Sequence, residues 1–352
     1  MKKRKMLMAM LLAGAMALST AACSQPAAEK TETEKTTEKE TAKETETKEE
    51  KVVDVGFSEE TGDQLKITTL SENTNTGHEE IQAEFGFSVL IEKGDKKIVF
   101  DTAKEGRFME NASQLGEDVS DSDTMVLSHA HYDHCGGVMK YYDSYCADGK
   151  SLYVKDCFFD DSDRKYYIDL VGTKLDFTDG TPGYFSLSLD FTEADLKEKG
   201  VDIKYLDSDA TEIAEGITVY GNFKRVPLDP KMVIKTDDDK YMIDDFDEEI
   251  AVAVDTSKGL VIVTGCSHTG IVNIVNSIKE RSGKDVYAVI GGFHLLDASE
   301  KQIEDCIANA KELNIKHLGL SHCTGETAKN MFLKEMPENT FINATGSVFE
   351  MK

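Results

Sequence analysis

The chain has 352 residues and a formal net charge of −26, with 40 Lys and Arg against 66 Asp and Glu, seven Cys and no Trp. That length allows two domains, or one large domain with attachments, and a hydrophobic share of 40% is enough for a sizeable core. So acidic a surface repels phosphate backbones and argues against a nucleic-acid partner; the composition also excludes collagen-like, disulfide-knot and multi-spanning membrane proteins.

The N-terminus reads as an address. Lys2, Lys3, Arg4 and Lys5 precede an apolar run from Met6 to Leu18 that is too short to span a bilayer, and Ser19-Thr20-Ala21-Ala22-Cys23 follows. Small residues before a cysteine resemble a bacterial lipobox, with Thr20 standing where Leu is usual. Residues 1–23 are therefore expected to be a lipoprotein signal peptide. Lipidation of Cys23 would anchor the chain to the cell membrane on its extracytoplasmic face, with plain secretion as the alternative. Residues 24–51 carry nine Glu and six Lys among Thr and Ala, with no apolar face to bury. They are expected to form a disordered tether with a reach of roughly 25–30 Å. Nearly all the negative charge thus belongs to residues 52–352, expected to be one domain.

Within that domain, strands are predicted at Leu65–Leu70, Phe85–Ile91 and Lys97–Phe100, the last two joined by a hairpin at Glu92-Lys93-Gly94-Asp95. Further strands are predicted at Thr124–Leu127, Ser151–Val154, Ile217–Tyr220, Ala251–Val254, Leu260–Val263, Val286–Ile290 and His317–Leu320. Apolar residues at 3–4 spacing predict helices at Phe108–Leu115, Ile271–Arg281, Glu300–Leu313 and Glu326–Glu335. Early hairpins and late strand–helix alternation point to α/β layers with a mixed sheet. Residues about 140–245 are polar, Asp-rich and less periodic, and read as an insertion or lid.

The histidines carry the chemistry. Three of the eight fall in Ser128-His129-Ala130-His131-Tyr132-Asp133-His134, directly after a predicted strand. His129 and His131 can project to one side and bind one ion, and Asp133 and His134 can turn toward a second. Imidazole and carboxylate suit zinc, iron or manganese. Gly136 and Gly137 would let the chain turn sharply into the next helix. His294 follows a strand and two glycines and can face a cleft, as a substrate-binding or proton-transfer group or as a structural histidine. His78 and His317 read as bland, Glu84 as a weak candidate at the cleft rim, and Asp244–Glu249 as a solvated acidic turn rather than a cation site. Cys135, Cys266 and Cys323 lie within one or two residues of proposed ligands, and no disulfide pairing follows from the sequence. There is no phosphate-binding glycine loop and no Ser-centred nucleophile elbow.

The His129–His134 segment resembles the HxHxDH signature of the metallo-β-lactamase fold superfamily. Ile98-Val99-Phe100-Asp101-Thr102 is similar to that fold's strand ending in Asp-Thr-Gly, with Ala103 in place of the Gly. The later Thr264-Gly265-Cys266-Ser267-His268, Gly291-Gly292-Phe293-His294 and Ser321-His322-Cys323-Thr324-Gly325 resemble one branch, whose relatives include an archaeal dihydropterin–ribofuranosylaminobenzene phosphate synthase. The likeness spans about Leu65 to Glu350. It implies a four-layer αβ/βα sandwich with mixed sheets. It also implies that Asp101 buttresses the metal loop, that His268 joins His129 and His131, and that His322 joins Asp133 and His134. Two departures are visible. No His lies between His134 and His268, and Cys266 follows Gly265 where many relatives carry a bridging Asp. Cys266 is either a soft bridging ligand or a packing residue beside a hydroxide that bridges alone.

What the resemblance implies is a hydrolase with two divalent cations, zinc foremost. A metal-bound hydroxide would attack a small ester, lactone or phosphoester substrate, with His294 and Asp133 as catalytic residues. Two alternatives stand beside it: a transferase like the synthase, or a non-catalytic metal- or ligand-binding lipoprotein. The charge speaks against a nuclease of this fold. His131 stands where the oxygen-reductase branch usually has Glu.

Overall fold

The structure, a computed structural model, describes residues 56–77, 79–160, 163–167, 183–224, 231–236 and 240–352. The expected signal peptide, Cys23, the tether and His78 lie outside the described residues. Among the described residues, no helix is long and apolar enough to cross a membrane.

Two mixed sheets form the body. The first has eight strands in the order Gly56–Glu59, Val348–Met351, Leu65–Ser71, Ser88–Lys93, Lys96–Phe100, Thr124–Val126, Ser151–Lys155 and Asp202–Leu206. The second has seven: Ala210–Ala214, Ile217–Tyr220, Ala251–Thr256, Gly259–Thr264, Val286–Gly292, His317–Ser321 and Thr340–Ile342. Alternating side chains explain how they stack. Val89, Ile91, Ile98 and Phe100 pack inward with Val252, Val254, Val261, Val263 and Ile290 of the second sheet. Leu90 and Val99, one residue out of phase, face outward and pack with Phe108, Ala112, Val138, Tyr141 and Leu196 of the helices Phe108–Leu115, Val138–Ser144 and Glu193–Glu198. On the far side, Leu260, Ile262, Val289 and Leu318 pack with Ile274, Ile278, Ile303, Ile307 and Phe332 of Ile271–Ser282, Glu300–Glu312 and Glu326–Glu335. The result is the αβ/βα sandwich with mixed sheets that the sequence led us to expect.

The departures from expectation have physical causes. The strand expected from Phe85 begins at Ser88. Phe85–Phe87 is drawn off the sheet toward the His129–His134 segment, with Gly86 at φ 118° and the Phe87 N–H donating to the Asp133 carbonyl at 3.3 Å. Gly136 and Gly137 have φ of −64° and −83°, which any residue can adopt. They are small because of close approach: a Cβ would lie 2.0 Å from the Lys104 carbonyl and 2.5 Å from the Thr102 carbonyl, respectively. The 140–245 stretch contributes strands to all three sheets. It supplies Ser151–Lys155 and the edge strand Asp202–Leu206 of the first sheet, and the edge strand Ala210–Ala214 and Ile217–Tyr220 of the second. Ser151–Lys155 and Ile217–Tyr220 fall where strands are predicted, while the two edge strands, Asp202–Leu206 and Ala210–Ala214, bury little and carry a weak apolar pattern. The part that stands apart is a four-stranded sheet of Arg164–Tyr167, Tyr184–Ser186, Met232–Lys235 and Tyr241–Ile243.

Candidate metal centre

Parallel pairing brings the chemistry to one edge. Gly259–Thr264, Val286–Gly292 and His317–Ser321 run parallel, with Thr264 beside Gly291 and Gly292 beside Ser321. The turns that follow them therefore emerge together at the carboxyl ends of the strands, the usual ligand edge of such sheets. They carry His268, His294 and His322. The His129–His134 loop follows Thr124–Val126 in the other sheet and meets them.

The donors form two triads. The donor atoms of His129, His131 and His268 lie within 4.8 Å of one another, and so do those of Asp133, His134 and His322. All six residues are buried. His322 Nε2 is 3.3 Å from Asp133 Oδ2. Buried His129 Nε2, His131 Nε2, both nitrogens of His268 and Asp133 Oδ1 have no hydrogen-bond partner. A buried polar atom without a partner costs about 1–3 kcal/mol, so a cluster of them aimed at one space is the mark of a cation site. Burial, reinforced by neighbouring positive charges, holds His129, His131 and His268 well below the ordinary histidine value, which leaves them as neutral ligands. This nitrogen and oxygen donor set fits divalent metal ions.

Surrounding groups fix the rings. Ser128 Oγ lies 2.8 Å from His129 Nδ1 and 2.7 Å from Asp101 Oδ2, and that same carboxylate oxygen lies 2.6 Å from His134 Nδ1. Against the effect of burial, Asp101 holds the His134 imidazole above its ordinary value. His322 is set from two sides. Its backbone N–H donates to Glu72 Oε1 at 2.5 Å, and its Nδ1 lies 3.0 Å from Asn73 Oδ1. Glu249 accepts from the backbone N–H groups of His268 (2.7 Å) and Thr269 (2.8 Å) and from the Thr269 hydroxyl (2.7 Å). Phe246 stacks on the His268 ring, with centroids 4.0 Å apart. Several non-glycine residues here adopt left-handed backbone: Asp101 (57°), Ala103 (52°), Phe246 (52°), Ser267 (64°), His294 (46°) and His322 (47°). Such strain persists only where surroundings over-determine the conformation, and it gathers at functional sites.

The acidic stretch 244–249 differs from the solvated turn expected. Asp244, Glu248 and Glu249 are buried. Arg164 pairs with Asp244 and, at 3.1 Å, with Glu248, while Glu248 accepts from the Ala130 N–H at 3.5 Å. The separate small sheet is thereby tied to the metal-binding loop. Glu84 caps the start of helix Phe108–Leu115, accepting from Glu105 N (2.7 Å), Arg107 N (2.9 Å) and Ser71 Oγ (2.9 Å), and is no site residue. His317 packs tilted against Phe57, with ring centroids 3.8 Å apart, and bonds Tyr287, outside the cluster, and burial pushes it down to about 4. The six described cysteines are free thiols, and Cys135 donates to the His129 carbonyl at 3.2 Å. His294 is half-buried beside the first triad, its ring centroid 4.3 Å from that of His268. Glu72, Asn73 and Glu249 were not foreseen as positioning groups. The signal for Glu249 lay in a carboxylate directly before an apolar strand.

Fold and donor geometry together define a metallo-β-lactamase-type protein, and comparison with known proteins agrees. A family model, the metallo-β-lactamase superfamily, matches residues 81–192. The chain belongs to that superfamily. It is 32% identical over 289 residues to a 7,8-dihydropterin-6-methyl-4-(β-D-ribofuranosyl)-aminobenzene-5′-phosphate synthase of Methanocaldococcus jannaschii, covering 79% of this chain and 93% of that protein. Among solved structures it is similar to Tm1679, a metal-dependent hydrolase of the β-lactamase superfamily. The TM-score is 0.68 at 27% identity, covering 82% of this chain and 99% of that one. A metallo-β-lactamase fold protein of Bacillus subtilis, YhfI, matches with a TM-score of 0.50 at 14% identity over 81% of this chain and 98% of its own, a likeness of fold alone.

Proposed function

We propose that this chain is a metal-dependent hydrolase acting on a small ester, lactone or phosphoester. The observation that carries the reading is the pair of buried triads whose unpartnered donor atoms face one another. Its similarity to a metal-dependent hydrolase along 99% of that protein's length supports it. Two divalent ions, zinc foremost, are the cofactors the donor set favours; bound there, they would act as Lewis acids and lower the pKa of water toward ~7.

The protein's own groups then have distinct tasks. His129, His131 and His268 hold one ion; Asp133, His134 and His322 hold the other. Asp133, buried and held below the ordinary carboxylate range by His322 and His134 against the effect of burial, keeps a negative charge at the reaction centre. His294, at the edge of the first triad, passes a proton to the leaving group or holds a substrate oxygen. Phe85, 49% exposed with its ring 5.2 Å from that of His322, offers an apolar wall to the substrate. The leader pattern and Cys23 support an enzyme anchored by lipid on the extracytoplasmic face.

A second reading, transfer chemistry, is favoured by the 32% identity to a synthase over 93% of its length. The two separate in one experiment. Anaerobically purified protein is assayed against phosphoesters, lactones and esters, with and without an amine acceptor. Turnover by water alone, lost in His131→Ala together with one metal equivalent, supports hydrolysis. Product formed only with an acceptor supports transfer. Activity retained in His131→Ala at full metal content contradicts both.

A further inference from the structure

Two thiols meet at the carboxyl ends of the parallel strands. Cys266 lies just past Gly259–Thr264 and Cys323 just past His317–Ser321, and pairing of both strands with Val286–Gly292 brings the two turns together. Their sulfurs and a ring nitrogen of His294 lie within 4.8 Å of one another. Cys323 Sγ donates to the Cys266 carbonyl at 3.4 Å. The strand between them ends in a residue without a side chain. A Cβ on Gly292 would stand 2.6 Å from Cys323 Sγ and 3.4 Å from Cys266 Cα, so any other residue there would wedge the pair apart.

The two thiols differ in access. Cys323 is partly exposed, whereas Cys266 is 3% exposed. Attack from solvent therefore falls on Cys323, with Cys266 placed to displace whatever becomes attached. Cys135 and Cys306, by contrast, are packed into the apolar cores. Both members of the pair also adjoin the second triad. Cys266 Sγ lies 3.1 Å from His134 Nε2, and Cys323 directly follows His322, whose backbone is held at φ 47°.

We propose that Cys266 and Cys323 close into a reversible disulfide that loosens the cation site of Asp133, His134 and His322. The effect on metal rests on the di-metal reading above; the disulfide itself does not. The oxidant is a low-molecular-weight disulfide. The Cys323 sulfur attacks it and displaces one thiol, and the Cys266 sulfur then attacks Cys323 Sγ and displaces the second. Two protein S–H bonds and the S–S bond of the oxidant break, one protein S–S bond forms, and the two protons leave on the released thiols. The protein thiols are oxidised and the small disulfide is reduced. Bonded sulfurs stand only about 2.05 Å apart, so closure draws Cys323 toward Cys266. That pulls on His322 and shifts the Cys266 sulfur from its place beside His134 Nε2.

Metal-free full-length protein incubated anaerobically with oxidised glutathione, then unfolded and alkylated, tests the pairing by peptide mass. A Cys266–Cys323 cross-link removed by a phosphine reductant is expected in the wild type, which needs no variant to fold. Cys266→Ser should instead keep glutathione on Cys323, and Cys323→Ser should show neither product at Cys266. No cross-link, or cross-links spread over the other cysteines, would overturn the proposal. Zinc titration of the two wild-type forms reads the consequence: the oxidised form should hold one equivalent fewer tightly, regained on reduction. Equal uptake by both forms would overturn the link to the second triad. Absence of zinc uptake by the reduced form would sink the di-metal reading, while the mass of the cross-link still decides the pairing.

Discussion

Asp101 Oδ2 lies 2.6 Å from His134 Nδ1, and both residues are fully buried. The same oxygen reaches His129 through the Ser128 hydroxyl. One carboxylate therefore orients an imidazole in each triad and leaves the Nε2 atoms facing the cluster. Asp101→Asn keeps the shape and removes the charge. Loss of such an outer partner typically costs 10–100-fold in metal affinity. The variant is expected to release both metal equivalents to a chelator more readily, in competition titrations, with an unchanged circular dichroism spectrum. A loss confined to one equivalent would separate the two rings.

Arg164 is the cation that makes burial of Asp244 and Glu248 tolerable. Burial still pushes Glu248 up to about 7. Removing one partner of a buried ionic group typically costs about 3–5 kcal/mol. Arg164→Ala is therefore expected to unfold at markedly lower denaturant concentration. Because Glu248 also holds the Ala130 N–H, the variant should bind metal more weakly. A change in stability below about 1 kcal/mol would show that the cluster is dispensable.

Acid sensitivity follows from the depressed imidazoles. In the metal-free chain, His129, His131 and His268 are neutral when folded and gain protons on unfolding below pH ~6.5. Their contribution to stability is complete above that pH and is lost as the medium is acidified. Glu248, raised from 4.5, acts in the opposite sense, so the useful comparison is with a variant. His268→Asn removes one of the three groups. Its metal-free form is expected to lose less stability from pH 6.5 to 5 than the metal-free wild type, by up to about 1.4 kcal/mol per pH unit. Parallel pH profiles in thermal melts would refute the assignment.

Phe85 reaches the centre only through its ring, beside His322 and Tyr132. Phe85 is 49% exposed, so covering its remaining face with a substrate is worth about half the full burial of a Phe side chain, roughly 0.7–1.5 kcal/mol. Phe85→Ala is expected to raise KM roughly three- to tenfold, with metal content and kcat little changed. An altered metal content would mean that the ring supports His322 instead.

Much of this molecule is legible in its sequence because its strands are buried on one or both faces. Leu260–Val263 and Val286–Ile290 are near-continuous apolar runs, and the helices Phe108–Leu115 and Glu326–Glu335 begin and end where the apolar spacing does. The His129–His134 cluster is local and dense, so it announces itself. The pairing of Gly56–Glu59 with Val348–Met351 joins opposite ends of the domain and leaves no local trace. The roles of Glu72 and Asn73 depend on His322, some 250 residues away in sequence, and a carboxylate at residue 72 looks like any surface acid. Asp244, Glu248 and Glu249 read as solvated because charge alone carries no sign of burial; the buried partner, Arg164, lies 80 residues upstream of Asp244.

In the proposed function, His268 and His322 each complete a separate cation site with the His129–His134 loop. Elemental analysis of anaerobically purified wild type, His268→Ala, His322→Ala and the double variant distinguishes the two sites. Two equivalents of transition metal are expected in the wild type, one in each single variant and none tightly held in the double variant, all four remaining folded. Full metal content in the double variant would contradict this assignment.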